Sequence, residues 1–200
     1  MIYILEHSLL EHYLTIIKDQ PSHTHFRYAW SKISSLVAML LTKDLQLSET
    51  FDEDGEFVGY KFTEQFSIIS IFPTGVRLAQ AIGDLLPNSV IGYVGHSATK
   101  DLFKGGDEGL YILPENLSSR KAIICDAMIK TGLSMRNAIS RLQIENVIDI
   151  KLVSVFATTN GIENLRAEFP EFPIYVCSLE SVEELEKISF LEELLRHYNL

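Results

Sequence analysis

Apolar and polar residues alternate with changing period along this chain, and each change marks a new element. After a short lead, Phe26 to Leu45 carries Trp30, Ile33, Val37, Leu40 and Leu41 at helical spacing, which predicts a long first helix with one buried face. Residues 45–63 alternate weakly around Asp54-Gly55, a strong short-range cue for a tight hairpin, and their polarity predicts an arm that projects from the body. From Phe66 the period switches repeatedly between two and 3.6. The expected elements are a strand Phe66 to Phe72, a helix Gly75 to Leu86 and a strand Val90 to Gly95. A strand Lys121 to Asp126, a helix Leu133 to Leu142, a strand Ile150 to Phe156, a helix Gly161 to Glu168 and a strand Phe172 to Val176 follow. Strands joined by helices of this length predict an α/β fold, a parallel sheet flanked by helices on both faces.

Two segments fall outside that alternation. Gly95 to Pro114 is rich in glycine and charge and reads as a flap over the carboxyl ends of the strands, where ligands of such sheets bind. Ser181 to Leu200 places Val182, Leu185, Ile188, Leu191, Leu194 and Leu195 on one stripe, with Ser181 and Glu184 spaced as a capping box. It reads as a C-terminal amphipathic helix with a packing or dimer role.

Composition narrows the functional classes. Two hundred residues, 46% of them hydrophobic, suffice for a single domain over 1–200. A formal charge of −10 argues against a nucleic-acid partner or an anionic membrane surface. No stretch approaches the roughly 20 apolar residues of a membrane helix, and the first ten residues lack a basic start and a cleavage site, so a cytoplasmic location is expected. Cys125 and Cys177 lie in apolar runs and are expected to be buried and reduced. His7, His12, His23, His25, His96 and His197 show no metal-ligand spacing, and no resident metal is expected from them. Asp52, Glu53, Asp54 and Glu56 read as a solvated hairpin tip.

The segment Ala122 to Ser134 carries the candidate chemistry. A buried strand ends in Asp126, and Thr131-Gly132 opens the next helix. Unpaired amides at a helix start attract an anion, while a carboxylate a few residues earlier accepts hydrogen bonds from ribose hydroxyls; a sugar phosphate satisfies both. The same words also serve as plain turn and capping chemistry. Thr74-Gly75 and Ala157-Thr158-Thr159 fall at the same edge of the expected sheet.

The order of elements and several local words resemble the uracil phosphoribosyltransferase family of type I phosphoribosyltransferases. His7 to Asp19 looks like that family's opening "HPLVQHKLTxLRD", Phe26-Arg27 and Ser34 to Asp44 fit its first helix, and Cys125 to Ser134 fits "VDPMLATGGS". The resemblance runs from about residue 7 to about residue 177. It implies phosphoribosyl diphosphate as ligand, with Asp126 contacting the ribose and Lys130, Thr131, Gly132, Leu133 and Ser134 cradling the 5′-phosphate. It further implies Mg2+ accompanying the diphosphate, transfer of phosphoribose to uracil, and a homodimer paired through the arm.

Four departures from the family pattern bear on activity. "LRAG" stands here as Phe72-Pro73-Thr74-Gly75, so Pro73 replaces a diphosphate-contacting arginine, and the second such arginine, in "GLYRD", aligns with Ala98. Each lost cation removes about 2 to 4 kcal/mol of transition-state stabilisation unless Arg77, Lys100 or Lys104 substitutes beside Thr74 and Gly75. Leu133 replaces a glycine and is expected to crowd the phosphate loop. The uracil-reading words "GYIVPGLGDAGDRxFG" are absent after Cys177-Ser178, which leaves base-binding residues unassigned. The alternative to an active transferase is therefore a catalytically impaired relative that binds a sugar phosphate as a regulatory or interaction subunit.

Overall fold

The computed structural model describes residues 1–19, 22–95 and 110–188. Its centre is a seven-stranded sheet in the order β1-β9-β8-β7-β4-β5-β6, built from β1 (Ile2–Ile4), β4 (Phe66–Phe72), β5 (Val90–Gly95), β6 (Leu110–Ile112), β7 (Lys121–Ile129), β8 (Ile150–Thr158) and β9 (Ile174–Glu180). Every pairing is parallel except β5 with β6. β4 and β7 are buried nearly end to end, as expected of strands covered on both faces. β2 (Leu47–Phe51) and β3 (Phe57–Phe62) form a separate antiparallel ribbon, turned at Asp52 to Glu56 by Asp52 Oδ1, which accepts from the amides of Asp54 and Glu56.

Helices cover both faces. One core cluster packs α1 (Ser8–Lys18), α2 (His23–Thr42), α3 (Val76–Leu85) and the start of α6 (Val182–Ile188) around Phe66, Ile68, Cys125, Val155 and Phe156. The other packs α4 (Leu133–Ile144) and α5 (Thr159–Glu168) around Ile69, Ile124, Ile139 and Leu152. Among the described residues no helix is long and apolar enough to cross a membrane. The fold thus has the α/β architecture expected from the alternation of strands and helices.

The structure corrects several boundaries. The expected single first helix over Phe26 to Leu45 is α2, which begins at His23, capped by the Ser22 hydroxyl, and ends at Thr42. A separate α1 precedes it, capped by the His7 side chain and buried through Leu10, Leu14 and Ile17. β7 continues past Asp126 to Ile129, so that carboxylate lies inside the strand and not at its end. β9 begins at Ile174 instead of Phe172 and runs to Glu180, because Pro173 has no amide to donate and Lys18 neutralises the Glu180 carboxylate at 2.5 Å. Residues 110–112 of the expected flap are an edge strand. Residues 96–109 of that flap, with His96, Ala98, Lys100 and Lys104, lie outside the described residues, as do 189–200 of the expected last helix, with Leu191, Leu194, Leu195 and His197.

Strand succession reverses between β4 and β7. β4 is followed outward by β5, and β7 by β8 and β9, so the crevice beyond the carboxyl ends of β4 and β7 is the switch point where ligands of open α/β sheets bind. α3 leaves β4 on one face and α4 leaves β7 on the other, and both helix starts flank that crevice.

Candidate active site

Two turns build the crevice. The first follows β4 as Phe72-Pro73-Thr74-Gly75, with a cis Phe72–Pro73 peptide, and leads straight into α3. Gly75 is required there because a Cβ at this position would stand 2.1 Å from the carbonyl oxygen of Cys125 on β7. The two strands therefore meet backbone to backbone at the base of the site. The Gly75 amide donates to Ile71 O at 2.7 Å and is committed to the turn, and Pro73 has no amide.

The second turn joins β7 to α4 through Lys130-Thr131-Gly132. Gly132 adopts φ +84°, the left-handed region that favours glycine, and a Cβ would stand 2.9 Å from Leu165 Cγ and 3.0 Å from Gly161 O. Two hydrogen bonds fix this loop against α5, and a third caps that helix. Thr158 Oγ1 donates to Lys130 O at 2.5 Å and accepts from the Gly161 amide at 2.9 Å, and Asn164 Nδ2 donates to Thr131 O at 3.1 Å. The first-turn amides of α4 have no intrahelical acceptor, and the helix dipole places positive potential there. Leu133 is 48% exposed, so about half of it lies in solvent. Ser134 is half-buried near Ile71, Tyr111 and Asn137.

Between the two turns sits Asp126, 5% exposed. Its Oδ1 accepts from the Thr74 hydroxyl at 2.6 Å and from the Ala127 amide at 2.7 Å. Donors of this kind are what allow a carboxylate to stand in a buried strand. The structure thus brings together Thr74, Gly75, Asp126, Lys130, Thr131, Gly132, Leu133 and Ser134 at one sheet edge. Arg77 is placed elsewhere: its Nη2 donates to Ser31 Oγ of α2 at 3.0 Å, and it lines a groove of about 350 Å³ between α2 and α3 with Gln80 and Asp84. Thr158 and Asn164 hold the turn between β7 and α4 through their side chains, a role not assigned to them from the sequence. The signal for Thr158 was available, since a threonine preceding Thr159-Asn160-Gly161 is an N-cap pattern.

Among the described residues, no three of His, Cys, Asp or Glu cluster closely enough to hold a metal ion. Among the described residues, the buried carboxylate of the crevice is that of Asp126.

Solved structures with the same arrangement define the class. The chain superposes on a protein from Aquifex aeolicus with a TM-score of 0.75, at 21% identity over 90% of this chain and 88% of that one. It superposes on adenine phosphoribosyl transferase from Trypanosoma brucei, solved with AMP, pyrophosphate and ribose-5-phosphate, with a TM-score of 0.54 at 13% identity over 76% and 68%. Orotate phosphoribosyltransferase from Mycobacterium tuberculosis, solved with phosphoribosyl diphosphate, gives 0.51 at 14% identity over 90% and 93%. The fold is that of the type I phosphoribosyltransferases. Sequence gives the family within this class: the uracil phosphoribosyltransferase model matches residues 4–189. Enzymes of that name from Agrobacterium fabrum and Dictyoglomus thermophilum are each 30% identical to this chain, over 88% of it and 86% of the first, and over 90% of it and 88% of the second. The chain belongs to the uracil phosphoribosyltransferase family.

Proposed function

We propose that the crevice between β4 and β7 binds phosphoribosyl diphosphate and that the chain transfers its phosphoribose to a nucleobase, uracil by kinship, in the cytoplasm. The observation that carries this reading is the pairing of a left-handed Gly132 at the start of α4 with the buried Asp126 at the sheet's switch point. The 5′-phosphate would take the amides of residues 131–134, and Asp126 would face the ribose hydroxyls. In the transfer the bond from the anomeric carbon to diphosphate breaks, a bond to the base nitrogen forms, and the nitrogen's proton leaves to solvent. Positive charge that builds on the ribose is stabilised by Asp126. Mg2+ bound to the diphosphate would neutralise charge on the leaving group.

The transfer is expected to be slow. Pro73 brings neither a guanidinium nor an amide to the leaving group, Gly75 has committed its amide, and Arg77 is engaged on α2. These features also support the second reading, a sugar-phosphate-binding subunit without turnover. Calorimetry with phosphoribosyl diphosphate and Mg2+, followed by a diphosphate-release assay with uracil, separates the readings. Binding with release supports the transferase, binding without release supports the subunit, and no binding refutes both. We also propose a homodimer paired through the β2–β3 arm, on which Phe51, Phe57, Val58 and Tyr60 are all more than half exposed. Monomers in sedimentation at micromolar concentration would contradict it.

A further inference from the structure

We infer that Thr74 competes with the ribose for Asp126 and thereby sets how strongly this chain favours a ribose phosphate over phosphate alone. The inference rests on the proposed ribose contact of Asp126. Two donors already converge on Oδ1: the Thr74 hydroxyl at 2.6 Å and the Ala127 amide at 2.7 Å. The amide belongs to the sheet backbone and stays where it is. A ribose hydroxyl directed to Oδ1, and not to Oδ2, meets an acceptor already filled and displaces Thr74, whose β-branched side chain has few rotamers to which its oxygen can retreat.

The exchange leaves the Thr74 hydroxyl in a half-buried turn between the buried Pro73 and Gly75, where a lost hydrogen bond is poorly replaced by water. The 5′-phosphate site does not share this cost, because its amides lie beyond β7, on residues 131–134. A hydrogen bond to an ionised group corresponds to roughly a tenfold change in affinity when it must be broken for a ligand.

The test is calorimetry of the full chain with ribose 5-phosphate and, separately, inorganic phosphate, on the wild type and on Thr74→Val, Thr74→Ala and Thr74→Ser. Thr74→Val keeps the shape without the hydroxyl and is expected to bind ribose 5-phosphate about tenfold more tightly with unchanged phosphate affinity. Thr74→Ala should shift in the same direction, and Thr74→Ser, which restores the donor, should return to the wild-type value. Unchanged or weakened ribose 5-phosphate binding in Val and Ala, with phosphate binding intact, overturns the inference while leaving the proposed site standing. If Val loses both ligands through misfolding, Ala against Ser decides. Wild type and variants that all bind neither ligand overturn the proposed function, and this inference with it.

Discussion

Replacing Gly132 by alanine tests the geometry of the turn between β7 and α4 through stability, and the magnitude has two separate sources. An alanine at φ +84° carries the left-handed penalty of about 1 to 2 kcal/mol. Its Cβ would also meet Leu165 Cγ at 2.9 Å and Gly161 O at 3.0 Å. Neither neighbour gives easily: Leu165 is 2% exposed, and a Cβ built on Gly161 would stand only 2.6 Å from Lys130 O, so the two turns interlock. Overpacking of that kind costs about 1 to 3 kcal/mol, for a total of about 2 to 5 kcal/mol. Gly55 in the arm is the internal control, because it shares the conformation at φ +83° yet has nothing within 4 Å of its Cβ position. Gly55→Ala should lose no more than the first term. Urea midpoints measured at one protein concentration, with the m-value unchanged, give both losses. Equal losses in the two variants, or a Gly132→Ala loss below about 1 kcal/mol, would refute the interlocked loop.

Three other outcomes follow from named groups. Asp126→Asn keeps an acceptor for Thr74 and the Ala127 amide but removes the charge, so ribose 5-phosphate should bind about tenfold more weakly while inorganic phosphate is unaffected, by calorimetry. Burial, reinforced by Asp126 beside Cys125 and by Glu11 beside Cys177, pushes both thiols well above their ordinary range. A raised thiol value favours the folded state fully below the unfolded value of about 8.5, and that stability is lost as pH rises above it, by about 1.4 kcal/mol per pH unit for each thiol. Urea midpoints should therefore fall between about pH 8.5 and pH 10 in the wild type, and fall less in the Cys125→Ala, Cys177→Ala double variant; superimposable profiles would contradict this. Tyr60→Glu places a charge among the exposed aromatics of the arm and should convert a dimer to monomers in sedimentation, with circular dichroism unchanged.

The central alternation of strands and helices was legible because β4, α3, β5, α4, β8 and α5 each carry a clean period over a length typical of such elements. What escaped had physical reasons. β1 is three residues long and gains its order from parallel pairing with β9, a partner more than 170 residues away that no local pattern reveals. α1 carries Leu10, Leu14 and Ile17 at helical spacing, but its run is short and stands apart from the strand-helix alternation. The strand β7 was expected to stop at Asp126 because a charge normally ends a buried run, whereas Thr74, distant in sequence, supplies the donor that lets the strand continue through Ala127, Met128 and Ile129. The turn between β7 and α4 could be read from Thr131-Gly132 and its position after a strand. Its anchoring by Thr158 and Asn164 depends on the packing of α5 beside α4, which only the tertiary arrangement brings about.

The most direct test of the central claim is a crystal structure of the chain grown with ribose 5-phosphate. The phosphate is expected on the amides of residues 131–134 at the start of α4 and the ribose hydroxyls against Asp126. A sugar phosphate bound elsewhere on the chain, or a crevice between β4 and β7 that remains empty at saturating ligand, would contradict it.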